Sequence, residues 1–230
     1  MLKKSLCLSS VAFLVAACSS APSPVVPPVR PTVKSLNLES MTVALYTKDG
    51  SAPRCSGVFV AERRILTAAH CTSDDVENPI FYSTYKDYPG AFRKPLRLYN
   101  MALVKLDERT DLALYETGVF DTPFHATATL ATQLPPIGAK LHFLGHPAGM
   151  AYSYRSGDVS FYREADFRPV EEDKVGPWLQ VSAPIFNGDS GGGAYNEIGE
   201  LVGIASFRMT RLPNNCQYVY QETIRKFLQP

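Results

Sequence analysis

Short apolar or β-branched runs, each closed by a cluster of turn-forming residues, recur along most of this chain. Residues 41–46 (MTVALY), 57–60, 65–68, 96–106 and 112–115 come first, separated by KDGSAP, ERR, ENP and DERTD. Residues 140–144, 157–162, 178–181, 192–196 and 201–207 follow, punctuated by GHPAG, SGD, NGDS and NEIGE. Runs this short, interrupted by Gly, Pro, Asn and Asp, read as antiparallel strands rather than helices. The aromatic stretch 81–88 (FYSTYKDY) reads as sheet packing and a connecting loop in preference to a carbohydrate-binding face. The last segment differs: residues 221–228 place Ile224, Phe227 and Leu228 at helical spacing. The pattern predicts an all-β domain closed by a C-terminal helix, and no internal repeat relates its two halves.

The first 35 residues follow another pattern. Lys3 and Lys4 lead an apolar run over 11–17 that ends in VAAC at Cys18. That run is too short to span a bilayer and ends in small residues, so residues 1–17 read as a signal peptide. Small residues running directly into a cysteine resemble a bacterial lipobox, which implies a lipid such as palmitate on Cys18, the mature N-terminus. Several acyl chains on one cysteine anchor more firmly than the marginal single chain. Ser19, beside the lipidated residue, implies by analogy with bacterial lipoproteins no retention at the inner membrane. The expected location is the cell envelope, at the outer membrane facing the periplasm in a host with two membranes, with the cell surface as the alternative. Pro22, Pro24, Pro27, Pro28 and Pro31 favour an extended polyproline conformation, so residues 18–35 read as a lipidated stalk.

Charge narrows the partners. Removal of residues 1–17 takes Lys3 and Lys4 with it, and the formal charge of +1 becomes about −1. Lys and Arg are scattered, with no basic block, so no nucleic-acid partner is expected. His142 and His146 lie four apart, a helical metal spacing, but Gly145 and Pro147 flank His146 and make a strand and turn the reading there. No metal or other cofactor is expected.

The chemistry lies in three segments. Residues 187–193 (NGDSGGG) set Ser190 among glycines, where a nucleophile stands beside bare backbone amides. His70 lies upstream in ILTAAHC and Asp111 in DLALYE. Each is bland alone: a turn serine, a satisfied histidine, a strand start. In the order His, Asp, Ser they resemble the signature of trypsin-like (chymotrypsin-fold) serine peptidases, over residues 40 to 228.

That resemblance implies two antiparallel six-stranded β-barrels, over about 36–118 and 119–220, with a helix at 221–229, in a peptidase domain of residues 36–230. It implies that His70 takes the proton of Ser190 as the hydroxyl attacks a carbonyl, with Asp111 fixing the imidazole tautomer. Asp107 is the rival carboxylate, but Asp111 directly precedes the apolar strand as the family's aspartate does. The backbone amides of Gly188 and Ser190 would hold the oxyanion. Cys55 and Cys71 are placed like the family's disulfide around the histidine loop. Cys216 is left over, because the residue four before the serine, where the family often has its partner, is Phe186. A free, buried Cys216 is expected.

Asp189 resembles the residue that, in activated trypsin-like enzymes, pairs with a freed N-terminal amine. No activation site is visible near Thr42. Residues 138–160 (GAKLHFLGHPAGMAYSYRSGDVS) look like the Do-like and V8-like branches, which need no trypsin-style activation peptide. The chain is therefore expected to be active as synthesised, with the resemblance covering the peptidase unit and no PDZ module.

By the same resemblance the specificity pocket has Pro184 at its base and Ile185, Phe186, Asn187, Ser206, Phe207 and Arg208 as walls. An acidic residue at 184 would imply cleavage after Lys or Arg, and a histidine at 205 cleavage after Glu. Pro184 and Ala205 supply neither. A small or medium apolar side chain before the scissile bond is expected, with recruitment of an acidic one by Arg208 left open. The expected function is that of a monomeric, lipid-anchored envelope serine endopeptidase acting on protein or peptide. The alternative is a catalytically silent or zymogen-like binding protein. An esterase of the hydrolase fold is excluded by chain order, which there runs Ser, Asp, His.

Overall fold

The computed structural model describes residues 36–48, 52–72, 81–87, 95–118, 125–163, 174, 176–209 and 212–230. The leader, Cys18 and the proline-rich segment lie outside the described residues. Twelve strands close into two antiparallel six-stranded barrels. The first contains β1 (Thr42–Tyr46), β2 (Cys55–Ala61), β3 (Arg64–Thr67), β4 (Phe81–Thr84), β5 (Tyr99–Asp107) and β6 (Leu112–Thr117), in the order β1-β2-β3-β6-β5-β4. The second contains β7 (Lys140–Gly145), β8 (Ser153–Arg163), β9 (Trp178–Val181), β10 (Gly193–Tyr195), β11 (Leu201–Met209) and β12 (Leu212–Tyr220), in the order β10-β11-β12-β9-β8-β7. A one-turn helix α1 (Leu38–Met41) precedes β1, and α2 (Gln221–Leu228) ends the fold.

Most strands show little apolar–polar alternation because both of their faces are covered, whereas β5 and β8 keep many exposed positions. Successive side chains of a strand point to opposite faces. Phe59, Ile65, Ala113 and Tyr115 fill the first barrel, while their neighbours Val58, Leu66, Leu112 and Leu114 face the seam between barrels. Leu141, Phe143, Leu179 and Val181 fill the second barrel, and Leu144 and Trp178 turn to the seam. Trp178 is fully buried there, edge-on to Phe207 with ring centroids 5.0 Å apart. Ile224 and Phe227 of α2 join the same cluster, each burial contributing about 2 kcal/mol. Lys105 of β5 donates to the carbonyls of Phe227 and Gln229 and so ties the helix C-terminus to the first barrel.

Several elements differ from the sequence reading, among them β8, which begins at Ser153 rather than at residue 157. Residue 41 ends α1 rather than opening β1, since one helical turn carries too few residues to show a period. β5 begins at Tyr99, leaving Leu96 outside and 77% exposed. β12 gave no strand pattern because Pro213, Asn214 and Asn215 interrupt it; they lie in a register shift, and residues 216–219 pair with β11 on one side and β9 on the other.

Candidate active site

His70 stands in a short 3₁₀ turn, Ala69–Thr72, at the end of β3. The Cys55–Cys71 disulfide fastens that turn to the start of β2, with Cα atoms 6.3 Å apart. Asp111 ends the turn between β5 and β6 with φ of 57°. Asp107 caps that turn by accepting from Arg109 N, Thr110 N and Thr110 Oγ1, so its carboxylate is committed locally. Asp111 instead reaches His70: Oδ1 accepts from the His70 backbone N at 2.9 Å, and Nδ1 lies 3.0 and 2.9 Å from Oδ1 and Oδ2. A carboxylate can only accept here, which places the proton on Nδ1 and leaves Nε2 as the free base.

Burial pushes the Asp111 carboxyl up, but the hydrogen bond and charge of His70, the charge of Lys174 and the Ser206 hydroxyl outweigh it, so the group lies below its ordinary range. Ser206 was expected as a pocket wall. Its hydroxyl donates to Asp111 Oδ2, which ties β11 to the His–Asp pair.

Ser190 lies at the seam, half-buried, and its carbonyl accepts from Ser56 N of β2 at 2.8 Å. Among the described residues Ser190 Oγ makes no hydrogen bond to His70. The glycine turn before it is fixed from two sides. The Asn187 carbonyl accepts from Ala148 N at 2.7 Å. A trans peptide carries its N–H opposite its carbonyl, so the Gly188 N–H faces away from Ala148. The Gly188 carbonyl accepts from Ser56 Oγ at 2.7 Å, and that oxygen lies 2.9 Å from His146 Nδ1. With the hydroxyl proton spent on Gly188, His146 Nδ1 is the donor to Ser56. Gly188 has φ of 100°, and a Cβ there would collide with the His146 carbonyl oxygen, so only glycine fits. Neither Gly188 N–H nor Ser190 N–H meets an acceptor among the described residues.

Asp189 points inward. Both of its carboxylate oxygens pair with the Arg155 guanidinium from β8, and Oδ2 also accepts from Phe186 N at 2.8 Å. Gly145 leaves the room for this, since a Cβ there would overlap Asp189 Oδ1. Arg155, Ser56 and Lys174 were not singled out from sequence, and His146 was weighed there only as a metal ligand. The one available hint was the unpaired acid at 189, which required a cation from somewhere.

Around the expected pocket, Pro184 is half-buried, Ile185 and Phe207 are buried, and Phe186, Asn187 and Arg208 are exposed. Cys216 is free and buried, as expected. It lies on β12 opposite Arg208, and its sulfur accepts from Ile185 N at 3.1 Å, so its thiol stands directly beneath the pocket wall. His142 and His146 turn to separate partners, Tyr154 and Ser56. Among the described residues no cluster of three metal-ligating side chains occurs, and no helix is long and apolar enough to cross a membrane.

Two closed barrels with a His–Asp pair and a glycine-framed serine at their seam define a chymotrypsin-fold protein. A trypsin-like peptidase domain matches residues 55–204, and the chain belongs to that family. A probable periplasmic DegP-like serine endoprotease of Marinomonas sp. is 36% identical over 115 residues, covering 50% of this chain and 23% of that protein. The chloroplastic protease Do-like 2 of Arabidopsis thaliana is 26% identical over 182 residues, covering 78% of this chain and 27% of its own. The chain thus spans about a quarter of the length of these relatives. In fold it is similar to the Rv3671c protease of Mycobacterium tuberculosis, with TM-score 0.67 and 15% identity over 89% of this chain and 95% of that one. The HtrA-type protease AlgW gives TM-score 0.67 and 20% identity over 83% of this chain and 59% of that one.

Proposed function

We propose that this chain is a serine endopeptidase of the bacterial envelope, with Ser190 as nucleophile, His70 as general base and Asp111 as the group that orients it. The observation that carries this reading is the Asp111 carboxylate, fully buried and bonded through both oxygens to His70 Nδ1, which leaves Nε2 to accept a proton. Ser190 Oγ passes its proton to Nε2 as it attacks the substrate carbonyl; His70 then returns that proton to the departing amine, and water resolves the acyl-enzyme by the same route. The contact from Oγ to Nε2 closes when substrate arrives, as such contacts commonly do. The Gly188 and Ser190 amides receive the oxyanion, each such donor contributing about 3 kcal/mol to the transition state.

Arg155 supports activity without an activating cut. It gives Asp189 the cation that a freed N-terminus would otherwise supply, so the turn around Ser190 is set by the intact chain. Pro184 at the base, with Ile185 and Phe207 buried beside it, favours a small or medium apolar residue before the scissile bond. A lipid on Cys18 and a stalk over residues 18–35 would hold the domain 36–230 at the outer membrane, facing the periplasm.

Labelling of the full-length chain with a fluorophosphonate, beside Ser190→Ala, tests the core of this reading. Labelling confined to the native serine is expected. A second reading, a binding protein that keeps the fold without turnover, has on its side the missing bond from Ser190 Oγ to His70, and it would leave folded protein unlabelled. A peptide panel showing strict Lys or Arg preference would refute the pocket assignment. Incorporation of labelled palmitate that survives Cys18→Ala would refute the anchor.

A further inference from the structure

The Asp111 carboxylate holds more than the orientation of one histidine requires. Besides His70 N, His70 Nδ1 and the Ser206 hydroxyl, its Oδ2 lies 3.2 Å from Lys174 Nζ. Lys174 belongs to none of the three signature segments and comes from the connection between β8 and β9. Its side chain is 15% exposed and Asp111 is fully buried, so the pair is screened little by solvent. The Nζ also stands 5.9 Å from the Phe207 ring centroid, over the aromatic floor beside the site.

We propose that Lys174 is a positioning residue that extends the catalytic activity to lower pH by opposing protonation of His70 through the carboxylate they share. The proposal rests on the triad reading above. A buried carboxylate by itself favours imidazolium, the form that cannot accept the serine proton. A second, permanent cation on the same carboxylate offsets part of that negative field and repels the charge His70 would gain. At the effective dielectric of a protein interior such repulsion is felt over several ångströms. The lowered Asp111 carboxyl, to which the Lys174 charge contributes, agrees with this geometry.

Among the described residues, other charged groups around the pair are placed as follows, Glu108 on the β5–β6 turn being exposed. On the β5–β6 turn Asp107 is bonded within its own turn. Arg109 on that turn and Arg208 on β11 are exposed. Asp189, beside Ser190, is neutralised by Arg155. The Cys71 sulfur next to His70 is held in the disulfide and does not titrate.

The test compares native chain, Lys174→Met and Lys174→Arg, all full length, from pH 4.5 to 9. It follows the rate of fluorophosphonate labelling and kcat/KM on a peptide substrate. In Lys174→Met the acid limb of both profiles should move up by about one pH unit, with the alkaline plateau within a few fold of native. Lys174→Arg should overlay the native curve. Superimposable acid limbs in native and Lys174→Met would overturn the proposal, as would a uniform loss at every pH with an unmoved midpoint, the mark of a merely structural lysine. Should Lys174→Met fail to fold, Lys174→Gln takes its place. The His70 ring is also titrated by NMR in a Ser190→Ala background, with and without the Lys174 change. That readout needs no turnover: unlabelled native protein would sink the triad reading, and an unmoved His70 titration would separately sink the role of Lys174.

Discussion

Arg155 and Asp189 form a two-pronged ion pair beneath the candidate nucleophile, joining β8 to the turn that carries Ser190. The same carboxylate accepts from Phe186 N, so one buried contact sets both the pocket wall and the serine turn. Removing one partner of a buried pair leaves the other charged and uncompensated. Arg155→Met is therefore expected to cost about 3–5 kcal/mol of stability and to abolish fluorophosphonate labelling in the protein that remains folded. Arg155→Met combined with Asp189→Asn should recover most of the stability, read by urea denaturation as a double-mutant cycle, since no lone charge stays buried.

Ser56 is expected to matter for rate more than for binding. Its hydroxyl donates to the Gly188 carbonyl and accepts from His146 Nδ1, which fixes the direction of the Gly188 amide. Ser56→Ala should lower kcat by roughly tenfold to a hundredfold, the loss of one or two buried hydrogen bonds, with KM little changed. Separate determination of kcat and KM checks this; a rise in KM alone would count against it.

Acid should loosen the fold through His146 before it reaches the carboxylates. Burial, helped by the charge of Arg155, pushes His146 down to about 3. In the unfolded chain an imidazole titrates near 6.5. The stability tied to the neutral ring is thus fully present above about pH 6.5 and is lost progressively as pH falls toward 3, reaching about 2–3 kcal/mol by pH 4.5. Asp111, held below its ordinary range, begins to lose its own contribution only under about pH 4. Urea midpoints at pH 7 and 4.5 should therefore differ more for the native chain than for His146→Asn.

The three cysteines of the domain should divide cleanly. Reduction of Cys55–Cys71, separated by 16 residues, should cost about 3 kcal/mol in the chain-entropy estimate and loosen the turn bearing His70. Burial pushes the Cys216 thiol up to about 11, and its sulfur is covered by Ile185 N. It should resist alkylation at pH 8 in the folded protein and react once urea is added, as peptide mapping would show.

The strand runs, α2 and the three motif segments were legible in the sequence because each is written in a local pattern: apolar runs between turns, a helical period at Ile224 and Phe227, and glycines around Ser190. β12 was not, because Pro213, Asn214 and Asn215 interrupt any local strand pattern, and the strand is held by the pairing of residues 216–219 with both β11 and β9. The preference for Asp111 over Asp107 followed from resemblance, and the fold supplies the physical reason: Asp107 is consumed by its own turn while Asp111 faces His70. Ser206 was expected at the pocket wall, and the contact of its hydroxyl with Asp111 had no signal in the sequence.

By itself the sequence determined which residue types are available and in what chain order: a nucleophile among glycines, a base, an acid, a cysteine pair and an unbalanced carboxylate at 189. Only the tertiary structure decided who neutralises what. Arg155 meets Asp189 across 34 positions, Ser56 meets Gly188 across 132, and Ser206 meets Asp111 across 95. Such partners leave no local period or spacing. They are brought together when two barrels bury their shared seam, and a charge or hydroxyl enclosed there must find its complement from whichever strand lies opposite.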